Sequence, residues 1–233
     1  MPTMSATSFK TGRLAKGLSQ VEAARRLRVS QPYLAMLESG KRRVTAGLAR
    51  RAMKVYGLPP TTLPHSALNL PDNRPAADAL ARDLGALGYP GFAYLRRPSR
   101  APKNPGAVLL AALAQEDLES RLVEALPWLV GTFWPLDQEW VVREAKLRDL
   151  QNRLGFVVTL ARQLAERARD PRAHALKDLE TVLERSRLAR EDTLCRSSLP
   201  EAERRWLAAH RSEEAKRWNV LTDWTTAALR YVA

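Results

Sequence analysis

The sequence is poor in the residues from which most catalytic, exported and metal-binding sites are built. Among 233 residues there is a single cysteine, Cys195, which excludes a disulfide framework and a cysteine-based metal cluster. The three histidines, His65, His174 and His210, are far apart and lack metal-ligand spacing, so each reads as a surface or hydrogen-bonding residue and no metal is expected. Residues 107–114 form the longest unbroken apolar run, only 8 residues, where a membrane span needs roughly 20. The first residues contain no apolar signal core, and the expectation is a cytoplasmic chain without a membrane partner. Phosphate-loop, nucleophile-elbow and Walker-type motifs are missing too, so neither a cofactor nor an enzyme is expected.

Acidic residues are scarce in one region. Residues 1–64 carry 12 Lys+Arg and 2 Asp+Glu, whereas residues 65–233 carry 26 and 23, giving +10 against +3. A compact segment of that charge concentrates a polyanion around itself and neutralises its phosphates, which makes nucleic acid the leading partner class. On charge alone, an arginine-rich chain that binds nothing is the plain alternative.

Prolines are concentrated elsewhere. Nine of the 15 fall between Pro59 and Pro105, where they repeatedly interrupt regular structure and mark a boundary. Within that stretch residues 76–87 have helical composition with Gly88 as a stop, and "YPGFAYL" carries aromatics that need burial, so it reads as an arm that packs on something. The expected division is 1–64, a basic DNA-binding domain; 65–105, a proline-rich linker or packing arm; and 106–233, a helical interaction or oligomerisation domain.

All six tryptophans lie in that last part. Leu147, Leu150, Leu154, Val157, Ala161 and Leu164 recur at spacings of 3 and 4, predicting one helix of about thirty residues from near Asp137. Asp170-Pro171 reads as a cap followed by proline at a helix start, and "SLPE" at 198–201 as a capping box opening a last helix through Trp206, Trp218, Leu221 and Trp224. Strand-like alternation is missing, so the fold class is all-α, with a C-terminal helical bundle.

The basic segment contains "LSQVEAARRLRVSQPYLAMLESGKR". Ser19 with Glu22 forms a capping box, predicting a helix over about residues 20–27; Ser30 caps a second helix, with Pro32 in its first turn and Gly40 at its end. Two helices this short need flanking ones, expected at about 8–16 and 46–56. The core is expected to use Leu14, Val21, Ala24, Leu27, Val29, Leu34, Leu37, Leu48 and Met53.

This stretch resembles the helix-turn-helix of the XRE family of phage-repressor-like DNA-binding domains, through the "LSQ" opening, Ala24 at the helix crossing, "VS" before the second helix and "LESGK" after it. One departure is Arg28, which stands where that family usually has glycine; a non-glycine residue at positive φ costs on the order of 1 kcal/mol. Arg28 could gain by reaching a phosphate. The resemblance implies that the second helix enters a major groove, with Gln31, Pro32, Tyr33 and Met36 facing base edges. Gln31 suits adenine, Pro32 or Tyr33 a thymine methyl, and Tyr33 equally suits packing. Gln20 resembles the position that contacts phosphate and supports Gln31. Lys41, Arg42 and Arg43 are expected along the phosphate backbone, a solvated loop being the alternative. A structural ion pair between Arg13 and Glu38 is also implied. One short helix reads few bases, so a homodimer on an inverted repeat of double-stranded DNA is expected.

The segments "DLGALGYPGFAYL" and "LVEALPWLV...AKLRDLQNRLGFVVTLARQLAE", over residues 80–168, resemble XRE-type antitoxins that accompany nucleotidyltransferase-like toxins. That resemblance implies an autoregulating repressor with a toxin partner; Trp128, Phe133 and Trp134, beside helix-ending prolines, are the interface candidates. A stand-alone regulator whose helical domain oligomerises or senses a ligand is the alternative. "ERRWLAAHR" resembles the Arg-x4-6-His motif of HEPN ribonucleases through Arg205 and His210, but Trp206 stands where that motif has a polar residue. Cys195 is a nucleophile only by default.

Overall fold

The computed structural model describes residues 6–65, 77–97 and 101–231. The chain forms two compact units, one from its start with residues 101–104, the other from residues 77–97 and 105–231.

Among its described residues the smaller unit has four helices, α1 Ala6–Ala15, α2 Gln20–Leu27, α3 Gln31–Glu38 and α4 Ala46–Tyr56, followed by a 3-10 turn at Pro60–Thr62. Side-chain caps start the last three. Ser19 and Glu22 form a reciprocal capping box, Ser30 accepts from the Tyr33 N–H, and Thr45 accepts from the Leu48 N–H. Phe9, Leu18, Ala23, Leu27, Leu34, Leu37, Leu48 and Tyr56 fill the core. Leu14 and Val21 do not belong to it, being 56% and 67% exposed. The buried face of α1 runs through Phe9, Gly12 and Arg13, which turns Leu14 outward, while α2 buries Ala23, Ala24 and Leu27. Gly12 lets Leu58 pack closely there, since a Cβ would lie 2.8 Å from its methyl group and push that side chain aside.

The larger unit is also helical: α5 Ala77–Leu87, α6 Pro105–Leu113, α7 Ser120–Thr132, α8 Gln138–Lys146, α9 Gln151–Arg167, α10 Arg172–Glu184, α11 Glu201–His210 and α12 Glu213–Arg217. Here part of the segment expected as a linker or packing arm packs into the unit. Leu80, Leu84 and Leu87 of α5, with Tyr89 and Phe92 of the following 3-10 turn, are buried in the same core as α6, α7 and α9. The anticipated thirty-residue helix is two helices, because the chain turns between α8 and α9 through Asp149 at φ 56. Leu147, assigned to the seam, is 70% exposed.

The last helix is likewise interrupted. Ser198 is held by Asp117, its Oγ donating to Oδ1 at 2.7 Å, and α11 begins without a side-chain cap, so the expected Ser198–Glu201 box does not form. Trp218 leaves the helical register to lie against α9, where Gly155 makes room; a Cβ there would sit 2.3 Å from the indole. Its Nε1 donates to Thr159 at 2.8 Å, and Thr159 donates to Glu180 at 2.8 Å. Two short parallel strands, β1 Asp192–Thr193 and β2 Val220–Leu221, pair beside this contact, an element that the sequence pattern does not announce. Before α10 it is Pro171 that holds the cap position, one residue later than expected, while Asp170 accepts from the Arg172 N–H at 2.8 Å.

Candidate DNA interface

The link between α2 and α3 is short because α2 ends in a left-handed residue. Arg28 has φ 57 and ψ 49, and the next N–H, of Val29, donates back to Ala24 at 3.0 Å. This is the ordinary helix-stop geometry with a side chain in place of glycine, at a strain on the order of 1 kcal/mol. The guanidinium of Arg28 is exposed, as are Gln31 and Pro32 in the first turn of α3. Tyr33 is half-buried and packs against the core, and Met36 is half-buried.

A chain of polar contacts runs from the interior to that exposed turn. Arg13, 7% exposed, donates from Nε to Glu38 Oε1 at 2.6 Å, from Nη2 to Oε2 at 3.0 Å, and from Nη1 to the Leu18 carbonyl at 2.7 Å. Gln20 Nε2 donates to Glu38 Oε2 at 2.9 Å, and Gln31 Nε2 donates to Gln20 Oε1 at 2.8 Å. Gln31 therefore keeps Oε1 and one N–H for a ligand, held at a defined angle by three residues behind it. Burial opposes ionisation of Glu38, but the Arg13 and Gln20 hydrogen bonds and the Arg13 charge outweigh it, and the carboxyl lies below its usual range. The bond to Glu38 correspondingly raises Arg13. Tyr56, beside the pair, is pushed up to about 12 by burial and then by the Glu38 charge. Its hydroxyl is buried without a hydrogen-bond partner among the described residues.

Both acidic residues of this unit are thus used internally: Glu38 by Arg13, and Glu22 by the backbone and hydroxyl of Ser19, which hold its carboxyl below the usual range. Lys41, Arg42 and Arg43 are exposed directly after α3, and the Arg42 N–H donates to the Met36 carbonyl at 3.2 Å, tying that turn to the helix. The result is an exposed helix start with one oriented amide, and exposed cations in the chain just before and just after the helix.

Residues 9–63 match the helix-turn-helix family model. Over this segment the chain is similar to the helix-turn-helix family. No curated protein and no solved structure matches the chain. The family match ends at residue 63, so the larger unit stands on its geometry.

That geometry removes several candidates from a shared site. Trp128, expected at an interface, is 7% exposed, its ring 5.1 Å from Tyr89 and 5.9 Å from Phe133. It belongs to the core, because Pro127 lies inside α7 and the helix continues to Thr132. Phe133 and Trp134 are half-buried and pack against that core. Arg205 lies 3.8 Å from Glu201, while His210 stacks on Trp206 with Nδ1 2.8 Å from its carbonyl. No contact joins Arg205 to His210. Burial pushes the Cys195 thiol up to about 11, against the opposing Arg153 charge, and the thiol is packed against the carbonyls of Ala112 and Leu113. Such a group is a poor nucleophile.

Two features are absent from the expectations above: the Gln20–Glu38 bond and the buried Tyr56. The first had a signal, since the resemblance places Gln20 and Gln31 together and Arg13 and Glu38 together. Tyr56 had none beyond its place on the apolar face of α4.

Proposed function

We propose that the protein is a cytoplasmic, sequence-specific transcriptional repressor that binds operator DNA as a homodimer, α3 of each chain entering the major groove of one half of an inverted repeat. The observation that carries this reading is the oriented Gln31 amide, exposed at the start of α3 and braced through Gln20 and Glu38. A glutamine so held presents a donor and an acceptor to adenine N7 and N6. Arg28, Lys41, Arg42 and Arg43 contact phosphates and set register, and Pro32 supplies apolar contact to a thymine methyl. Selection of bound sites from random double-stranded DNA by the full chain tests the proposal. An enriched inverted repeat with half-sites about 10 base pairs apart, holding two chains, is expected; enrichment of no sequence would refute it.

The likeness of residues 80–168 to antitoxins supports a second, finer reading, in which the repressor also neutralises a toxin encoded beside it. Phe133 and Trp134 are the anchors that such a partner would cover. Co-purification with the neighbouring gene's product tests this, and failure to capture it favours the stand-alone regulator.

A further inference from the structure

Two hollows in the larger unit share Ser120, Trp224 and Ala228 as a common wall. One measures about 320 Å3 and lies against the start of α7, the turn at residues 89–92 and the segment 224–231; its neighbour measures about 280 Å3. Each approaches or reaches the lower end of the roughly 300–1,000 Å3 typical of small-molecule sites.

The larger hollow is walled by rings. Tyr89 and Tyr231 meet edge to face at 5.3 Å, Phe92 lies 5.5 Å from Tyr89, and half-buried Trp224 stands at the shared wall. Gly91 is required by this packing, because a Cβ would come within 2.6 Å of the Tyr89 ring. Two exposed arginines, Arg121 and Arg230, also line it, and neither guanidinium has an ion-pair or hydrogen-bond partner among the described residues. Elsewhere in this unit Arg153, Arg162 and Arg217 are each held by carboxylates. One carboxylate, Glu124, is 9% exposed and lines the same hollow, accepting the Arg230 backbone N–H at 2.8 Å. Burial, then the Glu124 charge, raises the Tyr89 phenol, which keeps its proton.

We infer that this cleft binds a small planar anion, an aromatic or heteroaromatic ring bearing a carboxylate or phosphate, with the ring against Trp224 and Tyr231 and the anionic group on Arg121 and Arg230. Flat apolar faces suit a ring, and unpaired guanidinium groups suit an oxyanion in bidentate fashion. Glu124, beside Arg230, adds an acceptor for a donor on the ligand, which distinguishes this site from a bare anion patch.

Titration calorimetry of the full chain with AMP, with salicylate and with inorganic phosphate separates the sources of that chemistry, and reads ligand binding without DNA. Saturable binding of AMP or of salicylate to one site is expected, with inorganic phosphate at least ten-fold weaker. The double variant Arg121→Ala/Arg230→Ala should weaken the planar ligand ten-fold or more, while Arg185→Ala, an exposed arginine after α10, leaves it unchanged. Absence of binding by both planar anions, phosphate binding equally well, or indifference to the double variant would each overturn the inference. Because both arginines are exposed and unpaired, the fold should survive their removal, which an unchanged melting profile checks.

Discussion

At the scale of single residues, the smaller unit is organised around a buried charge pair. Arg13 and Glu38 are 7% and 9% exposed, and two hydrogen bonds join their charged groups. Removing one partner strands the other in the core, so Arg13→Ala is expected to destabilise this unit by roughly 3–5 kcal/mol. The double variant Arg13→Met/Glu38→Leu leaves neither charge stranded and should lose far less; thermal unfolding of the two proteins checks the difference. Tyr56 makes a separate prediction. Its raised value, about 12 against an unfolded value of about 10, means that the neutral buried phenol supports folding below about pH 10 and that this support is lost as pH rises from there towards 12. Tyr56→Phe removes a hydroxyl without a hydrogen bond, so it should be neutral or stabilising at pH 7 and should flatten the alkaline loss between pH 10 and 12. Denaturant unfolding across that range measures it.

At the scale of elements, local chemistry was legible and long-range packing was not. Ser19 with Glu22, Ser30 before Pro32, and Gly40 mark α2 and α3 in the sequence because a cap needs only residues three positions apart. The seam through residues 147–164 misled for the opposite reason. Its spacing of 3 and 4 continues across the turn at Asp149, and the break becomes visible only once Leu147 points outward and Leu150 inward. Likewise Trp218 and Gly155 are 63 positions apart, and nothing local tells that a glycine in α9 exists to admit an indole. Gly155→Ala should therefore cost about 1–3 kcal/mol or more, although alanine is the better helix former, because the ring has no free space to move into. A drop in melting temperature of the larger unit, followed by tryptophan fluorescence, is the expected result; an unchanged or higher value would contradict the packing.

At the scale of the whole molecule, the features behind the two proposals divide along the two units. The smaller carries the charge, the helix-turn-helix and the oriented glutamine; the larger carries the tryptophan-rich core and the ring-lined cleft. Charge asymmetry pointed to the first proposal, since +10 over 64 residues favours a polyanion as partner. The cleft was not legible: Tyr89, Glu124 and Tyr231 come from three distant parts of the chain, and Trp128, which its place beside Pro127 suggested as a surface anchor, is packed against Tyr89 and Phe133. The central claim is that Gln31 reads bases while Lys41, Arg42 and Arg43 hold phosphates. The most direct measurement is the affinity of the wild type, Gln31→Ala and Lys41→Ala for the selected operator and for random DNA over a series of salt concentrations. Gln31→Ala should lose about 1–3 kcal/mol on the operator and almost nothing on random DNA, with an unchanged salt slope, whereas Lys41→Ala should weaken both alike and lower the slope by about one. Equal losses on operator and random DNA for Gln31→Ala would contradict the account.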